Sequence, residues 1–186
     1  GEKAMALLTT GSDNIALGDL ALGGATVTGS RNIALGLSAL CGASAVNDTI
    51  AIGRLSGKAA GGGNANIFLG AYSGSQNGTA ADNDASNNIA IGYATGCGLT
   101  DGDNNIFMGN SAGAQTTTGA ANVMIGNYAG QCHVSGGENV YISHCAGRCM
   151  CDGSTNIAIG QHALQGSSTV GNNTGSDNIA IGKNTA

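Results

Sequence analysis

The chain has no proline and no tryptophan, only two phenylalanines and four tyrosines, and few charged residues. Charged residues make up 9% of the chain and the formal net charge is −5, so no basic patch is present to support nucleic-acid binding. No apolar run approaches the roughly 20 residues that a membrane helix needs, so we expect no membrane insertion. With three histidines and no identifiable nucleophile–base pair or carboxylate pair, we expect no enzymatic activity and no cofactor.

What the chain has instead is a five-residue motif, Asn-Ile-Ala-Ile-Gly or a close variant, that occurs ten times. Successive copies lie mostly 17 residues apart, with one interval of 18 and two of 22. A fixed period with insertions confined to single intervals indicates a stacked repeat. The sequence therefore predicts an all-β protein, a parallel β-solenoid of about ten 17-residue coils that form one domain over residues 1–186. The motifs begin at Asn14, Asn32, Thr49, Asn66, Asn88, Asn105, Asn122, Asn139, Asn156 and Asn178.

We number each coil from the Asn of the motif, position 1, to its Gly, position 5, and onward. Side chains alternate faces along a strand, so positions 2 and 4 point one way and position 3 the other. Positions 2 and 4 are nearly always aliphatic, and we expect them to form the core. Position 5 predicts a sharp corner that only Gly takes readily. Position 8 is always small, which indicates a second short strand facing a tight space.

The Asn residues at position 1 are predicted to form a ladder of stacked amides, as side chains do in other stacked β structures. The repeat frame also runs to both ends, from Gly1 to Ala186, without a recognisable capping repeat. We therefore expect the rod to continue into other sequence or to stack on another copy. The predicted ladder consists of Asn14, Asn32, Asn66, Asn88, Asn105, Asn122, Asn139, Asn156 and Asn178.

Position 3 is Ala in six coils and a larger apolar residue in four: Phe68, Phe107, Met124 and Tyr141. If positions 2 and 4 form the core, position 3 faces outward. The core is then thin for a chain of this length, which favours further burial against sister chains. We therefore predict that these four residues contact neighbouring chains; the alternative is that position 3 faces solvent.

The motif resembles the YadA-like head repeat of trimeric autotransporter adhesins, in which Asn-Ser-Val-Ala-Ile-Gly followed by a small residue recurs. The segments 156–160 and 178–182 match it best, with Ala163 as the small residue. This resemblance implies a left-handed parallel β-roll in each chain and three rolls packed around an axis, a homotrimer. Similar arrays occur in fibres of bacteriophages and other large viruses. The period of 17 is longer than is usual in the adhesin family.

Six cysteines also depart from the adhesin pattern, because exported chains must cross an oxidising compartment unfolded. Cys132 and Cys149 lie 17 residues apart, in register on adjacent coils, so a disulfide between them is one prediction. The alternatives are that they are small residues filling tight corners, or that they form a zinc site with nearby cysteines and histidines. Their spacing matches no zinc module, so we expect no metal. The nearby candidates are Cys145, Cys151, His133 and His144.

Two acidic stretches and two insertions are further candidate sites. The acidic stretches 82–84 and 101–104 have the oxygen density of a calcium site, but Asp and Asn are also ordinary turn residues, and turns are the preferred interpretation. The two 22-residue intervals each carry a five-residue insertion, within 75–87 and 165–177. Insertions in repeat proteins often lie on a binding face, and tolerated variation in loop length is the equal alternative.

The sequence thus predicts a structural protein, the rod-like shaft of a phage or viral tail fibre that mediates host attachment. The alternatives are a bacterial surface adhesin and a subunit of a self-polymerising extracellular filament. The expected partners are further copies of the chain, in a homotrimer or an end-to-end polymer, and an unknown host or surface receptor. The expected location is the virion or the cell exterior.

Overall fold

A computed structural model describes residues 1–75, 84–166 and 173–186. The described residues form an all-β structure whose regular elements are ten three-residue strands, each covering positions 2 to 4 of one motif. The fold class predicted from the repeat is confirmed as a parallel β-solenoid. The strands are β1 Ile15–Leu17, β2 Ile33–Leu35, β3 Ile50–Ile52, β4 Ile67–Leu69, β5 Ile89–Ile91, β6 Ile106–Met108, β7 Val123–Ile125, β8 Val140–Ile142, β9 Ile157–Ile159 and β10 Ile179–Ile181.

All ten strands join one sheet in chain order, each pairing in parallel with the strand of the next coil. The register places equal motif positions side by side: Ile106 pairs with Val123, Phe107 with Met124 and Met108 with Ile125. Adjacent strands in a sheet lie about 4.8 Å apart, so nine steps give a sheet roughly 43 Å long. Because every step is in register, each motif position becomes a straight column of similar side chains along the solenoid.

The strands end after three residues because the chain turns at position 5. Gly109 there has φ +130°, and a Cβ on it would lie 2.5 Å from the carbonyl oxygen of Gly126 in the next coil. A side chain is therefore excluded both by the backbone conformation and by the stacked coil. Ser143 is the exception: it takes the same corner at φ +112°, a value that costs a non-glycine residue on the order of 1–3 kcal/mol.

The interior of the coil is lined by position 3, which reverses the expected assignment of faces. Phe107, Met124 and Tyr141 are 0% exposed and Phe68 is 4% exposed within the single chain. The prediction that these four residues contact neighbouring chains is therefore wrong, because they are buried inside their own coils. Positions 2 and 4 point outward and are half-buried or exposed.

The small residues at position 8 explain why position 3, and not positions 2 and 4, points into the coil. The nine position-8 side chains from β1 to β9 are fully buried and lie across the interior from the strand. An interior lined by Ala, Ser and Thr on one side leaves space for Ala opposite it, and not for two aliphatic columns. The nine residues are Ala21, Ala39, Ser56, Ser73, Thr95, Ala112, Ala129, Ala146 and Ala163.

The large residues at position 3 fit because position 9 compensates for them. Where position 3 is large, position 9 is Gly: a Cβ on Gly113 would lie 2.5 Å from the ring of Phe107, and one on Gly147 would lie 2.5 Å from the ring of Tyr141. Where position 9 is Leu, as at Leu22, position 3 is Ala16. Leu40 and Leu164 are likewise paired with Ala, so two different pairs of residues fill the same space.

This exchange can be tested by replacing one pair with the other. Phe107→Ala should destabilise the protein by about 3–5 kcal/mol, because it opens a cavity. Gly113→Leu should cost about 1–3 kcal/mol through overpacking. The double variant recreates the pair found at Ala34 and Leu40. Its loss of stability should be smaller than the sum of the two single losses by about 2–3 kcal/mol. Urea unfolding followed by circular dichroism at one protein concentration measures all three; additive effects would contradict the packing argument.

Candidate interaction surface

The outward columns at positions 2 and 4 form one continuous surface, which we call the aliphatic face. Its side chains are half-buried by their neighbours in the stack and more exposed in the outermost strands, where Leu17 is 66% and Ile181 65% exposed. In the middle of the sheet Met108 is still 37% exposed. The face comprises Ile15, Leu17, Ile33, Leu35, Ile50, Ile52, Ile67, Leu69, Ile89, Ile91, Ile106, Met108, Val123, Ile125, Val140, Ile142, Ile157, Ile159, Ile179 and Ile181.

The aliphatic face is continuous along the ten strands and carries no charge. Two columns about 7 Å apart along a sheet roughly 43 Å long give a strip on the order of 400 Å² once side-chain width is included. The largest apolar patch on a typical monomer is of about this size and is often functional. Polar residues lie beside it: Arg31 Nε lies 2.6 Å from Asp48 Oδ1, and the hydrogen bond from Arg31 lowers the pKa of Asp48. Both side chains are well exposed, so the ion pair contributes little stability.

The predicted Asn ladder lies along one edge of the strands, with its inner members buried. Asn122 Nδ2 donates to Asn105 Oδ1 at 3.1 Å and to the Gly136 carbonyl at 3.0 Å. Asn122 Oδ1 in turn accepts from the backbone N–H and the Nδ2 of Asn139, at 3.0 and 2.9 Å. The amide therefore uses both donor hydrogens and both acceptor lone pairs, each for a contact that ties one coil to another.

One coil lacks this amide. Thr49 occupies position 1 there, and its Oγ1 still accepts from the backbone N–H of Asn66, at 3.3 Å. Its backbone N–H donates to Asn32 Oδ1 at 3.0 Å, so the coil below remains connected. A hydroxyl thus replaces the main-chain contact of the ladder but none of the side-chain amide contacts.

Asn122→Ala and Asn122→Thr separate these contributions. Alanine leaves two buried donors of Asn139, its backbone N–H and one Nδ2 hydrogen, without their acceptor, at about 1–3 kcal/mol for each group. Asn105 Oδ1 loses one of its two donors and keeps the backbone N–H of residue 122, so we expect a total loss of about 3–5 kcal/mol. Threonine retains the main-chain contact seen at Thr49 and should cost about half as much. Equal losses in urea unfolding would show that the main-chain contact retained by threonine contributes nothing to stability.

The structure brings the predicted disulfide partners together as free thiols. Cys132 and Cys149 lie on adjacent coils with their Sγ atoms 3.9 Å apart, and both are free cysteines in this structure, so the disulfide between them stays a prediction. Burial, together with the neighbouring Cys149, raises the pKa of Cys132 to about 11. A thiol with that pKa is protonated at neutral pH and reacts slowly, because the thiolate is the nucleophile.

His133 is a structural residue and not a free ligand. It is fully buried, and its ring nitrogens lie 2.8 Å from the Met150 carbonyl oxygen and 2.7 Å from the Gly136 carbonyl oxygen. Both nitrogens therefore have protein partners. Of the acidic stretches, Asp84 accepts from the backbone N–H of Gly62, and Asp103 accepts from that of Ser86, as turn residues do.

Three further side chains lie close together, of which the sequence predicted only two as candidate zinc ligands. One ligand atom from each of His144, Cys145 and His162 lies within 4.8 Å of the others. His144 and Cys145 were among the zinc candidates, and His162 was not. The signal that could have added it is the period, because Cys145 and His162 both occupy position 7 and stack directly.

The two insertions fall largely in 76–83 and 167–172, outside the described residues. A shallow pocket of about 270 Å³ next to the first of them is lined by Tyr72, Ser75, Tyr93, Ala94 and Cys97. The rings of Tyr72 and Tyr93 meet edge to face, with centroids 5.8 Å apart. Among the described residues we find no helix of the length and hydrophobicity needed to cross a membrane. Comparisons with protein-family models, with curated proteins and with solved structures each found no match.

Proposed function

We propose that this chain is a structural fibre protein, a shaft segment of a phage or viral attachment fibre, in which three copies pack through the aliphatic face. The observation that carries the proposal is the unbroken aliphatic face on a sheet of ten in-register strands. The resemblance to the YadA-like head repeat supports the same arrangement, with left-handed rolls around a common axis. The shaft would act mechanically, as a stiff rod that holds a recognition element away from the particle.

A second copy of this chain fits the aliphatic face better than an unrelated partner. The face repeats every strand, about 4.8 Å, along its whole length, so a partner must match that period and the twist of the sheet. An identical face does so without further adjustment. Rotation about one axis gives each copy the same surroundings and closes the assembly, as in most homo-oligomers. The polar residues beside the strip, such as Arg31 and Asp48, would then form the hydrated rim usual at interfaces.

The free cysteines favour a viral fibre over an exported adhesin. All six cysteines are unpaired thiols, and Cys145, Cys149 and Cys151 are buried. A chain that folds in a reducing compartment keeps such thiols, whereas one exported unfolded through an oxidising compartment risks cross-linking them.

The mass of the native particle tests the assembly. We expect light scattering to give three times the chain mass of 18.0 kDa. Met108→Glu combined with Ile159→Glu places carboxylates in the aliphatic face and should yield monomers, because burying unpaired charges costs several kcal/mol per ion. Gln115→Glu with Gln131→Glu adds the same charge away from the face and should leave the trimer intact. A monomeric wild-type chain, or a mass unchanged by the face variant, would exclude this interface.

The attachment role can be tested separately with the insertions. Removing five residues from each of 76–83 and 167–172 restores the 17-residue period, and we expect the same number of chains per particle but reduced binding to host cells or to the surface of the producing organism. Unchanged binding by the shortened chain would assign the insertions to tolerated loop variation.

A further inference from the structure

We propose that His144, Cys145 and His162 form a zinc site that links two consecutive coils of the solenoid. The first two residues follow strand β8 and the third follows β9. One imidazole nitrogen from each histidine and the Cys145 sulfur lie within 4.8 Å of one another. Two imidazoles and one thiolate are a donor set that zinc accepts readily, with a fourth position left for water.

The distances come close to those of a tetrahedral centre. The Cys145 Sγ lies 3.7 Å from His144 Nε2. With zinc–sulfur and zinc–nitrogen bonds of about 2.3 and 2.0–2.1 Å, tetrahedral geometry separates a bound sulfur and nitrogen by about 3.6 Å. This pair therefore needs almost no movement. All separations in the group are at most 4.8 Å, so the widest exceeds the ideal of about 3.4–3.6 Å by no more than about 1.4 Å, which rotation of a histidine side chain can close.

The histidines are free to offer a lone pair, unlike His133. His144 Nδ1 is buried and has no hydrogen-bond partner among the described residues, and His144 Nε2 contacts Cys145 Sγ, which belongs to the same proposed site. His162 Nδ1 donates to the Gln165 side-chain oxygen, which places its proton on Nδ1 and leaves the Nε2 lone pair available. A second-sphere carbonyl that fixes the tautomer in this way is the usual companion of a zinc-bound histidine.

The backbone holds the three residues in place. Cys145 and His162 occupy the same position of successive coils in the left-handed region, with φ of 57° and 58°. The His162 N–H donates to the His144 carbonyl oxygen at 3.0 Å, so the two coils are joined directly at the site. Cys145 is 1% exposed while both histidines are partly exposed, so an ion can reach the group from the histidine side.

The other cysteines do not offer this combination. Cys132 and Cys149 face each other, but the nearby His133 is occupied by two carbonyl oxygens. On binding, the Cys145 thiol loses its proton to solvent as the sulfur–zinc bond forms, and both histidines bind as neutral imidazoles. Affinity should therefore fall as the pH is lowered, and one proton should be released per thiol bound.

The test is a titration of the reduced, metal-free protein with Zn²⁺ against a chromophoric zinc indicator. We expect one zinc per chain and a higher midpoint of thermal unfolding in its presence. With Co²⁺ as the probe, an absorption band of thiolate-to-cobalt charge transfer should appear. The substitutions His144→Asn, Cys145→Ser and His162→Tyr introduce residues that the same positions carry at Asn127, Ser111 and Tyr128, so the coils should still fold.

Each of these variants should bind zinc at least about tenfold more weakly, and Cys145→Ser should also lose the cobalt charge-transfer band. The control, Cys132→Ser with Cys149→Ser and Cys151→Ser, should keep one zinc and the band. No binding by the wild-type chain, or binding lost in the control and kept in the three variants, would overturn the proposal. The monomeric face variant Met108→Glu with Ile159→Glu should still bind zinc, so the result is independent of the proposed trimer.

Discussion

The narrow interior of the coil is the constraint on which the rest of this structure depends. Position 3 of the strand and a small residue at position 8 meet across it, and both are buried almost completely in the central coils. Such an interior cannot hold two aliphatic columns, so positions 2 and 4 must point outward. It also brings the chain so close to its neighbours at Gly109 that even a Cβ would collide with the next coil. The buried amides of the Asn ladder satisfy polar groups that water cannot reach in so small a space.

The narrow interior has a thermodynamic consequence. In most globular domains the larger aliphatic side chains form the core, whereas here they lie on the outer face and are only half-buried by stacking on one another. Much of the order within one chain therefore comes from hydrogen bonds between coils, among the main chain and the Asn side chains. The remaining apolar surface is available for association between chains. The buried interior and the apolar outer face thus arise from alternating columns of the same strand, an arrangement that fits the proposed shaft.

The sequence alone predicts the strands, the corners and the Asn column well, because each recurs at the same place in every period. The direction of the faces was mispredicted for a physical reason: strand alternation separates position 3 from positions 2 and 4 but does not say which side is enclosed. The deciding signal was present. Phe107 goes with Gly113, and Ala16 with Leu22, an exchange of volume that only makes sense inside a coil. The histidine–cysteine group could be predicted only in part. The period places Cys145 and His162 at the same position of successive coils, but the closeness of their ligand atoms depends on side-chain directions that the spacing does not give.

Two residues that differ from the repeat consensus show which features of the coil can change. Thr49 shows how a departure is tolerated, because its hydroxyl retains the main-chain contact. Ser143 shows a departure that is not compensated locally: it takes a glycine conformation at a corner where every other coil has Gly. The next two residues are His144, which is partly exposed, and Cys145, which is buried. A bound ion that joins them to His162 would stabilise this strained corner by linking it to the next coil. The proposed ion would therefore account for the strained corner and the ligand cluster together.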